Sequence, residues 1–215
     1  MNRGSIVDVR IGRKAVWGGE VGRAAGFLAV LALAVVSASC GDLTRQGTGS
    51  SYLIVDQLQG ASGAEPDDFG PTLNSDVVTV VDDVPTIFND LGEVSLSLAM
   101  KDVTTSPTTN NAITINRYHV RFVRADGRNT QGVDVPYAFD GAFTGTVRPG
   151  GNLTATFELV RHIAKTEAPL GNLARNLVII STIAEITFYG RDQTGRDVSV
   201  TAQMLVSFGN FGDPD

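Results

Sequence analysis

Past residue 50 the sequence predicts an all-β fold, an antiparallel β-sandwich of about seven to nine strands, and three observations carry that expectation. The first is alternation. Val94, Leu96, Leu98 and Met100 alternate with Ser95, Ser97 and Ala99, and Val198, Val200, Ala202, Met204, Val206 and Phe208 alternate with Ser199, Thr201, Gln203, Leu205 and Ser207. A period of two buries one face of a strand and wets the other, the signature of antiparallel sheet. The second is punctuation: Ala125-Asp-Gly-Arg128, Arg148-Pro-Gly-Gly-Asn152 and Gly190-Arg-Asp-Gln-Thr-Gly-Arg-Asp197 separate the alternating runs. Glycine there supplies positive φ and proline presets a turn. The third is that no segment keeps a 3.6-residue period.

In chain order, strands are expected near 51–59, 76–82, 93–101, 112–124, 133–147 (broken into two), 152–163, 176–190 and 197–208. Tyr118, Val120 and Phe122 face opposite Arg117, His119 and Arg121, and Leu153, Ala155, Phe157 and Leu159 face opposite Thr154, Thr156, Glu158 and Val160. Ala168–Arg175 reads as a helical turn or two. About 165 residues suit one domain, residues 51–215, whose core needs no disulfide.

The leader has its own logic. Ala24–Val36 carries no charge, follows Arg10, Arg13, Lys14 and Arg23, and precedes the small residues Ser37-Ala-Ser39. A helix of that length spans roughly 20 Å, short of the roughly 30 Å bilayer core, so residues 1–39 read as a signal peptide rather than a membrane span. A start at Val21 would make that peptide more compact. Cys40, the one cysteine, comes next, and residues 40–50 form a polar, flexible tether; Gly41–Ser51 fully stretched reaches roughly 35 Å.

Ser37-Ala-Ser39-Cys40 resembles a bacterial lipobox, which implies acylation of Cys40 on sulfur and on its new amino group and attachment to a membrane. Ser37 stands where the lipobox carries a large aliphatic residue, and the same bond also suits ordinary signal peptidase. A lone unmodified thiol in an oxidising compartment would invite mispairing. Gly41 occupies the position where aspartate, by the family's convention, retains lipoproteins in the inner membrane, so the resemblance points to the outer membrane of a bacterial envelope. Ile186–Ala202, with an aromatic strand, a D-x-x-G turn and a valine/threonine strand, resembles the last hairpin of bacterial Ig-like domains. The antibody cysteine pair is absent, and the one tryptophan, Trp17, lies in the leader. The chain as a whole resembles uncharacterised single-domain bacterial lipoproteins.

Residues 1–39 hold five of the seventeen basic and two of the twenty-three acidic residues, leaving a formal charge near −9 on residues 40–215. That charge repels phosphate backbones and argues against nucleic-acid partners. The motifs GxSxG, HExxH, GxGxxG and the Walker phosphate loop do not occur, so no catalytic, cofactor or metal residues are assigned. The expected partners are the membrane, through Cys40, and a protein or envelope glycan; the alternative is a carbohydrate-binding or carbohydrate-active protein, with calcium on acidic loops.

Several residues are weighed against blander roles. Arg117, His119 and Arg121 form an anion-binding stripe or a wet face paired with acids such as Glu158 or Glu185. His119 and His162 are surface histidines unless they converge on a metal. Glu65-Pro-Asp-Asp68, Asp76, Asp82-Asp83, Asp90 and Glu93 are calcium ligands or turn caps. Asp134 and Asp140 are the one acid pair nominated for glycoside chemistry. Ile87, Phe88, Tyr137, Phe139 and Phe143 read as core plugs, and Ala164–Arg175 as the loop best placed to meet a partner.

Overall fold

The computed structural model describes residues 45–211. The leader, Cys40 and the first tether residues lie outside the described residues. The strands are β1 (Arg45–Gly47), β2 (Ser51–Ala61), β3 (Thr72–Asp76), β4 (Thr79–Val81), β5 (Val84–Thr86), β6 (Asp90–Met100), β7 (Ile113–Val123), β8 (Phe139–Val147), β9 (Leu153–Val160), β10 (Ile180–Asp192) and β11 (Asp197–Gly209). One short helix, α1 (His162–Thr166), and 3₁₀ turns at Thr109–Asn111 and Leu170–Arg175 interrupt them. The body is mostly β, with one mixed sheet, one three-stranded antiparallel sheet and the antiparallel β4–β5 pair. The larger sheet runs β11, β10, β7, β8, with β1 and β3 both on the outer edge of β11; the smaller runs β2, β6, β9.

Alternation builds the core as the sequence predicts. Along β10 the residues Ile180, Thr182, Ala184, Ile186 and Phe188 are buried in strict alternation, and Tyr118, Val120 and Phe122 of β7 face the same way. Val94 and Leu96 of β6 and Phe157 and Leu159 of β9 come from the smaller sheet into the same cluster of buried residues. At its centre Tyr118 meets Phe157 across the sheets at 5.1 Å between ring centroids, and Phe157 meets Phe188 edge-on at 5.5 Å. Edge contacts of this kind add to what area burial alone contributes. The Tyr118 hydroxyl donates to the Glu158 carbonyl at 3.0 Å, so the ring's one polar atom is satisfied inside. Two glycines make room: a Cβ on Gly141 would run into the Tyr118 ring, and one on Gly92 into the Phe157 ring.

The fold departs from the expected layout in six places. The expected strand at 76–82 is two pieces. β3 ends at Asp76, and β4 turns back into β5 through Asp82 and Asp83, whose φ of 50° and 61° are left-handed. Aspartate tolerates that region better than most residues, which is what a two-residue hairpin requires. β3 pairs with β11 in parallel, Leu205 with Thr72 through Gly209 with Asp76, so the larger sheet is not antiparallel throughout. The loop after β2 carries the chain from one sheet to the other, and β3 takes its direction from that crossing rather than from a hairpin. Residues 133–138 are not strand; β8 begins at Phe139. The strand expected to 163 stops at Val160, and His162 opens α1. The strand expected from 176 starts at Ile180. Finally, Arg45–Gly47, within the span read as tether, pairs with Val198–Val200.

Phe188 is fully buried between Tyr118, Phe143 and Phe157. Phe188→Ala is expected to cost about 3–5 kcal/mol, read as a lower urea midpoint with an unchanged slope.

Candidate functional site

The outward face of the larger sheet carries the basic stripe read from the sequence. Arg117, His119 and Arg121 stand on β7 between the acids of the neighbouring strands. Arg117 donates to Asp140 of β8 at 3.2 Å and lies 3.7 Å above the centre of the Tyr189 ring. His119 Nδ1 is 3.3 Å from the same Asp140 carboxylate. Arg121 bonds Glu185 of β10 through two nitrogens, Nε at 2.9 Å, and Gln203 of β11 donates to the other oxygen of Glu185 at 3.0 Å. The stripe is therefore a cross-strand ladder of opposite charges, each pair exposed and contributing little alone. Glu185 is a partner as expected; Glu158 is not, and offers only its backbone carbonyl, to Tyr118.

The nominated acids hold different ground. Asp140 belongs to that ladder, while Asp134 accepts from the Thr130 amide at 3.2 Å and pairs with Arg128 at 3.4 Å in the loop between β7 and β8. The histidines part in the same way: His162 Nδ1 and its backbone amide both sit 2.9 Å from Asn89 Oδ1. Among the described residues no group of three His, Cys, Asp or Glu side chains is placed to hold a metal ion.

The acids of the first third divide among turns, the surface and the interior. Asp76 caps the end of β3, accepting from the amides of Val78 and Phe211 and from Thr79 Oγ1. Asp82 and Asp83 make the β4–β5 turn. Glu65, Asp67 and Asp68 line an open hollow on the surface. Asp90, fully buried at the start of β6, takes 2.7 Å contact from Lys165 Nζ, itself only 2% exposed, and accepts from the Gly63 amide at 3.0 Å. Burial pushes the Asp90 carboxyl up, and the Lys165 charge and the hydrogen bonds offset only part of that. The pair pins α1, and with it the root of the connection 161–179, to the smaller sheet. Sequence reasoning did not find Lys165, because nothing about a lysine in a polar stretch marks it as buried.

That connection ends in Leu177, Val178 and Ile179, exposed at 96%, 59% and 57%. They fall in the strand expected from 176; four apolar residues in a row through Ile180, without alternation, are the sign in the sequence against pairing there. Asn210 Nδ2 donates to the Ala174 carbonyl at 3.0 Å, tying the connection to the end of β11. Of the expected core plugs, Phe139 and Phe143 are buried, Ile87 and Phe88 half-buried, and Tyr137 exposed at 53%.

At the opposite end lies a hollow of about 650 Å³ lined by Thr108, Asn110, Thr114, Thr146, Arg148 and Gln193 among others. It is rich in groups that both donate and accept hydrogen bonds. Beside it the β10–β11 turn closes on Asp192, whose Oδ1 accepts from the Thr194 amide, the Thr194 hydroxyl and the Arg196 amide. Burial works to raise this carboxyl, but those bonds outweigh it and hold it below the usual range. Compared with family models, curated proteins and solved structures, the chain matches none.

Two measurements follow from these contacts. Lys165→Met leaves the Asp90 carboxylate buried without its cation and is expected to cost about 3–5 kcal/mol, whereas Asp90→Leu with Lys165→Met together recovers most of it, read by urea denaturation of both variants. Asp126 is held at about 2, against an ordinary 3.8, by hydrogen bonds from Arg124 and the Arg128 amide. Its depressed value means that this contribution to stability is present above pH 3.8 and lost as the pH falls through about 2. Carboxyl-carbon NMR should place its midpoint near 2, and a midpoint near 3.8 would refute the pairing.

Proposed function

We propose that the chain is a non-enzymatic, lipid-anchored protein of a bacterial cell envelope, held by acyl chains on Cys40, whose body is an Ig-like β-sandwich that binds a protein or envelope component. The observation that carries the reading is the order of basic, apolar and small segments ending on the one cysteine, Cys40, followed by a polar stretch and an acidic all-β body. Two sheets sharing one core of buried residues, and a last hairpin whose D-x-x-G turn closes on Asp192, support the sandwich reading. The engagement of Asp134 and Asp140 with different arginines supports a binding module over glycoside chemistry, which needs two acids facing one cleft. The lack of aspartate after Cys40 favours the outer membrane.

A second reading, carbohydrate binding, is favoured by the hollow of about 650 Å³, whose threonine hydroxyls, amides and Arg148 match the donors and acceptors of sugar hydroxyls. In that case Arg148→Ala weakens glycan binding without changing stability.

Intact mass of the membrane-extracted protein tests the anchor. The expected mass is that of a chain beginning at Cys40 plus its acyl groups, and Cys40→Ser is expected to release the body from the membrane fraction. A mature chain with a bare thiol at position 40 would refute the reading.

A further inference from the structure

The hollow of about 650 Å³ falls within the roughly 300–1,000 Å³ of clefts that hold small ligands. Strand pairing builds part of its wall. Thr114 of β7 stands opposite Thr146 of β8, and their hydroxyls bond at 3.0 Å. Gln193, in the β10–β11 turn, reaches over with Nε2 to the Thr114 hydroxyl at 3.3 Å and to the Ala112 carbonyl at 3.4 Å. A carbonyl only accepts, so the Gln193 atom facing it is the amide nitrogen. Gln193 Oε1 is left without a partner among the described residues. The two threonines use one hydroxyl hydrogen between them, so the other is left for a ligand whichever of them donates.

Arg148 supplies the charge. It opens a closed turn, with Pro149 at the first corner, Gly150 at a φ of 73° at the second, and the Gly151 amide returning to the Arg148 carbonyl at 3.0 Å. That turn fixes where the arginine's stem leaves β8. Arg117, Arg121, Arg124, Arg128 and Arg191 each meet an acid, whereas the exposed Arg148 side chain has no hydrogen bond or ion pair among the described residues. No Asp or Glu is among the described residues that line the hollow. This bears on the class of ligand. The hydroxyls of a neutral sugar donate as readily as they accept, so they need acceptors in the wall. Here donors dominate: the N–H groups of Arg148, a threonine hydroxyl and the Asn110 amide stand against Gln193 Oε1 and Asn110 Oδ1. A carboxylate, which only accepts, evens that balance, and a planar guanidinium meets it with two parallel bonds.

On the reading of the hollow as a carbohydrate site, we propose that it takes an acidic saccharide, a sugar bearing a carboxylate, with Arg148 on the carboxylate and Thr146, Asn110 and Gln193 on ring hydroxyls. Pro107 and Pro149 supply apolar lining against which the C–H groups of a sugar ring pack. The formal charge near −9 on residues 40–215 repels anions at long range, so affinity comes from the paired contact at Arg148 and not from the field of the body.

Titration calorimetry on the full chain, extracted from membranes into detergent, tests this with trigalacturonate, its fully methyl-esterified neutral form, and sodium sulfate. The expected result is that the acid binds about 10-fold or more tightly than the ester. Arg148→Ala, and Arg148→Gln with its longer stem, remove that preference while leaving the urea midpoint unchanged, and sulfate does not displace the acid. Equal binding of acid and ester overturns the acidic preference and leaves the carbohydrate reading standing, whereas binding of neither overturns both. Displacement by sulfate marks a bare anion site and overturns the proposal, as does a preference that survives Arg148→Ala.

Discussion

Neither sheet can hide its own apolar face, and the contact that lets each hide the other's is the packing of Tyr118 against Phe157 and Phe188. Each ring comes from a different strand, two from the larger sheet and one from the smaller, and two of them depend on the backbone beside them being bare. Gly141 and Gly92 leave the space that Tyr118 and Phe157 occupy, so the sheets approach to the distance at which the rings meet edge-on. The Tyr118 hydroxyl, which would otherwise be costly to bury, finds the Glu158 carbonyl across the gap. Once that distance is set, the ends of the strands are set too, and so are the points from which the connections leave.

Polar groups then divide by depth. On the outer face of the larger sheet, charges meet across strands in water, where screening leaves each pair worth little. In the interior there is Lys165 with Asp90, where removal of either partner would leave a charge with nowhere to go. The first arrangement leaves a solvated face of paired charges; the second helps fix a long connection that Leu170, Leu173 and the Asn210–Ala174 bond also hold. Turn acids such as Asp76 and Asp192 serve local geometry, since each oxygen that accepts amides from the next residues stabilises a chain reversal.

Strand existence and facing were readable from the chain alone wherever alternation was long. β7 buries the residues that its period of two singles out, β11 buries all of them but the half-buried Ala202, and the turns at Ala125–Arg128, Arg148–Asn152 and Gly190–Asp197 end strands where glycine and proline stand. Short or edge elements were not readable. β1 is polar, β3 is parallel to a strand far away in sequence, and the Asp82-Asp83 turn carries neither glycine nor asparagine, so local signals were silent or misleading. Charge ladders were half readable: alternation put Arg117, His119 and Arg121 on one face, but which acids lay beside them depended on register.

By itself the sequence determined that strands form, which side of the long ones is apolar, that residues 40–215 are acidic, and where a cysteine follows an apolar run, because these are read from composition and from neighbours along the chain. Only the tertiary structure decided that Lys165 lies buried against Asp90, that Arg45–Gly47 pairs with β11, and that Asn210 reaches back to the Ala174 carbonyl. Those outcomes join residues tens of positions apart, and no local propensity encodes a distance that only the packed sheets define.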